Sequence, residues 1–173
     1  MRTMKFLAPL LCAMLLLPSC KYSLSFKGTS IDYNVTKTFT VQNFGLNAPG
    51  APALLNQRFA ESLRDRVRNN TRLTPAQQDG DIVMSGSISQ FNIQAVAASA
   101  SGTNISAPSQ QLNIGITVNF ENKKDPKQNF SQTFVQPVYF PQGQDFSTVQ
   151  NALTTEAFDG ILDQVFNKAF TNW

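Results

Sequence analysis

The chain contains no histidine. That removes the commonest general base and metal ligand, so no Ser–His or Cys–His nucleophilic pair can be assembled. Cysteine is almost as scarce, with only Cys12 and Cys20. No glycine-rich phosphate loop is present, because Gly86 and Gly102 stand alone. Asp79 and Asp81 flank a glycine but have no further ligands at fixed spacing, so they read as a turn and not as a metal or carboxylate pair. No apolar run is long enough to span a bilayer. The longest begins at Phe6, is broken by Pro9 and ends at Pro18, short of the roughly 20 residues required. Charge is scarce as well: 14% of the residues are charged, against about 25% in ordinary soluble proteins. Together these absences leave little room for catalysis and imply neither cofactor nor metal.

What is present begins with a signal. Arg2 and Lys5 precede the apolar run, which closes on Leu17-Pro18-Ser19-Cys20. A charged start, a short apolar middle and a small residue before the cut make a secretory signal peptide. With cysteine next, the segment resembles the bacterial lipoprotein signal. Residues 1–19 are then removed, and Cys20 becomes an amino-terminal residue carrying diacylglycerol on its thiol. Residues 20–173 are left as one domain without a disulfide. Removing Arg2 and Lys5 from the 14 basic residues leaves 12 against 11 acidic ones, a net +1. A nearly neutral domain does not bind nucleic acid in bulk, which needs a dense basic face.

The missing charge is replaced by Asn, Gln, Ser and Thr. A domain that stands alone in water usually spreads both signs of charge over its surface. An uncharged polar surface suits a domain covered by another polar wall, although exported proteins are often charge-poor for other reasons.

Periodicity gives the elements. Residues 36–44 alternate, with Phe39 and Val41 on one side, and predict a first core strand. Pro52 is placed as the first residue of a helix, in which Leu55, Phe59, Leu63 and Val67 form an apolar stripe. Glu61–Arg64 and Asp65–Arg68 have pairing distance on its outer side. Arg66 turns towards the apolar arc, either as a snorkelling side chain or as a charge kept for a partner. Residues 81–94 read as a strand whose parity changes between Ile88 and Phe91, which a bulge near Ser89-Gln90 repairs. Residues 95–110 lack periodicity and read as a mobile loop. Leu112, Ile114, Ile116, Val118 and Phe120 alternate strictly with polar residues, and a fourth strand runs from Asn129 to about Tyr139. A last helix starts at Ser147 with a capping-box pattern to Gln150 and runs to the chain end, where Phe170 and Trp173 widen its apolar arc.

The order β-α-β-β-β-α predicts an α+β domain: a mixed four-stranded sheet with both helices packed on one face, and a right-handed crossover through the first helix. The opposite face then carries Ser85, Ser87, Thr117, Asn119, Ser131 and Thr133, all polar and uncharged. Two basic groups remain as candidate contacts for phosphates on a lipid headgroup. Arg64, Arg66, Arg68 and Arg72 lie on or after the first helix. Lys123, Lys124 and Lys127 crowd the turn between the third and fourth strands. Ordinary solvated charge is the plainer reading of each.

The lipidated start at Cys20 is followed by Tyr22-Ser23-Leu24-Ser25-Phe26 and Gly28. Further on come Phe39-Thr40-Val41-Gln42-Asn43-Phe44, then Phe59-Ala60-Glu61-Ser62-Leu63-Arg64-Asp65 running into Asn70-Thr71-Arg72-Leu73, then Asp79-Gly80-Asp81-Ile82 leading to Gly86. This combination, with the element order, resembles the LptE family. The resemblance implies a two-helix, mixed-sheet lipoprotein anchored on the periplasmic side of a Gram-negative outer membrane. It implies a plug inside the LptD barrel that helps that barrel assemble and takes part in lipopolysaccharide transport to the outer leaflet. No catalytic activity is implied. The resemblance also implies contact with lipopolysaccharide through basic residues, of which residues 95–110 contain none. Two rivals are a stand-alone periplasmic lipid-binding lipoprotein, which needs a hollow apolar interior, and an enzyme with an unfamiliar carboxylate site.

Overall fold

The computed structural model describes residues 31–97, 100–101, 104–105 and 109–171. The signal segment, Cys20, the 22–28 motif and Trp173 lie outside the described residues. The elements are β1 (Thr38–Val41), β2 (Gly45–Leu46), α1 (Leu55–Asn70), β3 (Thr74–Pro75), β4 (Ile82–Val96), β5 (Ala100–Ser101), β6 (Asn104–Ile105), β7 (Ser109–Asn122), a 3-10 turn (Pro126–Gln128), β8 (Phe130–Pro141) and α2 (Phe146–Phe170).

The α+β class holds, but the sheet has six strands and not four. Its order is β3-β1-β4-β7-β8, with β2 also on β4. The added strands β2 and β3 are two residues long, too short to leave a periodic trace. β1 runs parallel to β4, as a helical crossover requires, and β4, β7 and β8 form an antiparallel meander. The parity change in β4 is a register shift between Ile88 and Gln90. It returns Phe91 and Ile93 to the side of Ile114 and Leu112. Residues 95–110 are not one loop: Ala95 pairs with Gln110 and Val96 with Ser109, and a second small pair joins β5 to β6.

Both helices lie on one face. Leu55, Phe59, Leu63 and Val67 from α1 and Phe158, Ile161, Leu162 and Val165 from α2 are buried against Met84, Ile88, Ile114, Ile116 and Val118. Phe59 sits at the junction, with its ring centroid 5.2 Å from those of Phe44 and Phe158, edge-on to both. α1 begins later than Pro52, because Leu54 takes a left-handed conformation (φ 67°) and Leu55 is the first helical residue. The capping box is also displaced: the Asp145 carboxylate accepts the Ser147 amide and caps α2 one residue before Phe146.

Arg66 crosses the helix seam and pairs with Asp163 at 3.1 Å. The expected Asp65–Arg68 pair forms at 2.9 Å. Arg64 does not pair with Glu61; its guanidinium donates to the Val41 carbonyl at 3.3 Å, a β1 group beyond the reach of short β3.

Candidate functional site

The sheet face away from the helices is a grid. Cross-strand partners share a face, so the register sets its rows: Ser85–Asn119–Ser131, Ser87–Thr117–Thr133, Gln90–Gly115–Val135, Asn92–Asn113–Pro137 and Gln94–Gln111–Tyr139. No member of the grid is charged, and the sequence has no Asp, Glu, Lys or Arg between Asp81 and Glu121 or between Lys127 and Asp145. The first two rows satisfy one another: Ser131 donates to the Asn119 carbonyl at 2.5 Å, and the Thr117 and Thr133 hydroxyls meet at 2.8 Å. Beyond Gly115 the face turns to carboxamides, with Gln90 donating to Asn92 at 2.8 Å and Gln111 to Asn113 at 2.7 Å. Val135 and Tyr139 are exposed, Tyr139 by 60%.

Among the described residues β8 is an outer edge of the sheet, and it carries two prolines. Asn122 turns its amide towards β8, where the Asn129 side chain accepts it, and Lys123 turns its amide towards Asp81 before β4. Alternation then directs the backbone of Asn113 towards β4 and that of its partner Pro137 to the outside. Pro137 thus costs no ladder bond and blocks strand addition at the middle of the edge.

Charge collects at the opposite end from the carboxamides, where β1 and β4 begin and β7 ends. Asp81 organises it. Its carboxylate accepts the Lys37 and Thr38 amides at 2.8 and 3.1 Å and the Thr38 hydroxyl at 3.1 Å, and it pairs with Lys124 at 3.3 Å. These groups hold its pKa at about 2, the Lys37 amide contributing most and partial burial opposing. Lys123 pairs with Asp79 at 3.5 Å. Of the predicted candidates, Lys123 and Lys124 are therefore engaged, as are Arg66 and Arg68, whereas Arg64 braces a strand. Arg72 lies beside Tyr33, whose hydroxyl pKa is raised by burial despite that guanidinium. Lys127 lines a recess of about 380 Å³ with Asp125, Gln128, Phe130 and Lys168. The Lys168 ammonium stands 6.0 Å from the centre of the Phe130 ring. No local spacing marks Lys168 as a neighbour, because the return of α2 alone brings it to this turn. The two predicted basic groups do share one end of the sheet, but most of their charge is spent internally.

Asp81 supplies a pH test. A carboxylate depressed in the folded state stabilises it above the ordinary value of 3.8, and that contribution is lost as pH falls from 3.8 through about 2. The difference corresponds to about 2 kcal/mol. Asp81→Asn is expected to lower stability by about that amount at neutral pH and to flatten the acid limb of the unfolding curve. Urea titrations between pH 2 and 7 measure both effects, and an unchanged acid limb contradicts the assignment.

A family model for lipopolysaccharide assembly, LptE, matches residues 36–169. The chain belongs to the LptE family. The match takes in both helices and the whole main sheet, so the LptE-like fold and the uncharged grid lie within it. No curated protein matches this LptE-family chain by sequence. Among solved structures it is similar to a neuraminyllactose-binding haemagglutinin homologue from Helicobacter pylori. The identity is 11% and the TM-score 0.53, over 83% of this chain and 87% of that one. The PelC dodecamer subunit from Paraburkholderia phytofirmans gives 11% identity and a TM-score of 0.51 over 80% and 89%. A minor lipoprotein from Acinetobacter baumannii gives 10% and 0.48 over 78% and 92%. At these identities the first two likenesses concern the fold alone.

Proposed function

We propose that this LptE-family protein is a lipid-anchored outer-membrane lipoprotein that plugs an LptD-type barrel, helps it assemble and serves lipopolysaccharide transport to the outer leaflet. In this reading residues 1–19 are the removed signal, Cys20 carries the lipid, and residues 20–173 are one domain facing the periplasm. The observation that carries it is the uncharged grid. A wall of hydroxyls and amides can lie against a polar barrel lumen without burying an unpaired charge, which costs several kcal/mol. No catalytic role is assigned. Contact with lipopolysaccharide phosphates is placed at Lys127, with Lys168 beside it, and at Arg72. The remaining candidates, Arg64, Arg66, Arg68, Lys123 and Lys124, contribute at most a local field because each already has a partner.

The stand-alone lipid carrier receives less support. Its hollow apolar interior is replaced by a core in which Phe59, Leu63, Ile88, Ile116 and Ile161 are wholly buried. The recess of about 520 Å³ beside β1 is lined by Thr40, Gln42, Asn43, Arg64 and Gln77, with Val41 as its one apolar residue, too little to bed an acyl chain.

Purification through a tag at the carboxyl terminus is expected to recover a large outer-membrane β-barrel. Depletion is expected to admit large hydrophobic antibiotics into the cell. Recovery of the chain alone, with unchanged permeability, rejects the plug.

A further inference from the structure

We infer that the far half of the uncharged face, where Gln90, Asn92, Gln111 and Asn113 adjoin Tyr139, is a binding surface for uncharged carbohydrate. The two halves of the grid differ in what their polar groups have left to offer. Around Thr117 the hydroxyls bond one another. In the far half each carboxamide pair makes one bond along its strand. Among the described residues, nothing takes the NH₂ donor of Asn92 or the carbonyl acceptor of Gln111 beyond those pairs, while Asn113, only 7% exposed, lies beneath and fixes Gln111. Donors and acceptors thus alternate on a fixed sheet, held by a continuous ladder from Gln90–Gly115 to Val96–Ser109.

That alternation matches vicinal hydroxyls, each of which both donates and accepts. Gly115 has no side chain, and the Gln90 side chain lies over it, with its Cβ 2.9 Å and its Oε1 3.3 Å from where a Cβ would stand. Tyr139, directly opposite Gln111, adds an exposed aromatic ring with a polar tip, suited to lie against the C–H face of a sugar while its hydroxyl stays wet. Other partners fit less well. The far half has no cation for phosphate or carboxylate. Val135, Pro137 and Tyr139 form only a narrow apolar stripe on one strand, too little for the apolar centre of a protein interface.

This inference rests on the lipopolysaccharide part of the proposed function for its biological ligand, and extends recognition from charged headgroups to uncharged sugar. It leaves the contacts around Thr117 to the barrel wall. The test needs neither barrel nor lipid ligand. The full processed chain, isotope-labelled in detergent micelles, is titrated with uncharged oligosaccharides of glucose, galactose and rhamnose and followed by NMR. The expected result is saturable shifts of the side-chain NH₂ signals of Gln90, Asn92, Gln111 and Asn113 for at least one sugar. Tyr139→Ala and Gln111→Ala should each weaken binding about tenfold, Tyr139→Phe by less than twofold, and Lys127→Ala not at all. Unshifted backbone spectra away from the substituted residue establish that the variants fold. The inference is overturned if no sugar binds, if Tyr139→Ala binds as the parent does, or if the shifts map to Lys127 and Lys168. A parallel titration with glucosamine 1-phosphate separates the two ideas. Binding of that probe at Lys127, without neutral-sugar binding, sinks the carbohydrate surface while supporting the headgroup contact.

Discussion

Gly86→Val is expected to leave the domain unfolded at 25 °C, and Gly86→Ala to cost about 3 kcal/mol or more. Gly86 lies on the helix side of β4, between buried Met84 and Ile88 and opposite Val118. A Cβ there meets the Thr117 carbonyl oxygen at 1.9 Å and the Phe44 ring at 2.8 Å. Neither neighbour can withdraw cheaply. Thr117 belongs to β7, held between β4 and β8, and Phe44 is buried against Phe59. A branched side chain must therefore part β4 from β7 or expel Phe44. A domain of this size is stable by only about 5–15 kcal/mol, so losing one of these contacts spends a large part of it. Gly143 is the comparison. Its φ is +98° but nothing lies within 4 Å of an added Cβ, so Gly143→Ala should cost only about 1 kcal/mol of backbone strain. Urea unfolding followed by circular dichroism distinguishes these values. If Gly86→Ala melts with the parent, the close approach of β4 and β7 is not what holds this part of the sheet.

The same stretch shows what a sequence can and cannot disclose. The bulge at Ser89-Gln90 was legible because alternation is strict on both sides of it, and only one extra residue restores the parity. Its consequence beyond the bulge depends on pairing with β7: Gln90, Asn92 and Gln94 move to the open face, so the face extends well past the six hydroxyl and amide residues expected. The helix stripes were legible because four-residue apolar steps leave one packing solution. The start of α1 was not, because Pro52 fits a first helical position as well as the turn it actually occupies, and nothing in a leucine announces φ 67° at Leu54. β2 and β3 leave no trace in the sequence because pairs such as Gly45-Leu46 have no period. The fate of each cation was hidden for a different reason. Arg66 and Asp163 are brought together only by the packing of α2 on α1, and Lys124 and Asp81 only by the meander. Local spacing anticipated Asp65–Arg68 and nothing longer in range.

Thr117→Lys is expected to leave the isolated domain folded and to reduce recovery of the barrel partner by at least about 100-fold. Thr117 lies at the centre of the uncharged grid, half-buried, and contributes one hydroxyl contact to Thr133. Losing that contact costs about 0.2–1 kcal/mol. A lysine rising from the same place can extend into water, so thermal unfolding should shift by only a few degrees. Against a polar lumen wall the consequence differs. An unpaired ammonium buried by the partner costs about 3–5 kcal/mol, and each 1.4 kcal/mol is tenfold in affinity. Asn167→Lys is the matched control. Asn167 is exposed on α2, four residues beyond Asp163, where charge is already accommodated and a new lysine meets an acid. Equal expression, equal melting and equal recovery of the control, with loss of the barrel only for Thr117→Lys, place the partner against this face. If both variants retain the barrel, the uncharged grid is not buried in the complex, and the plug reading loses the observation that carries it.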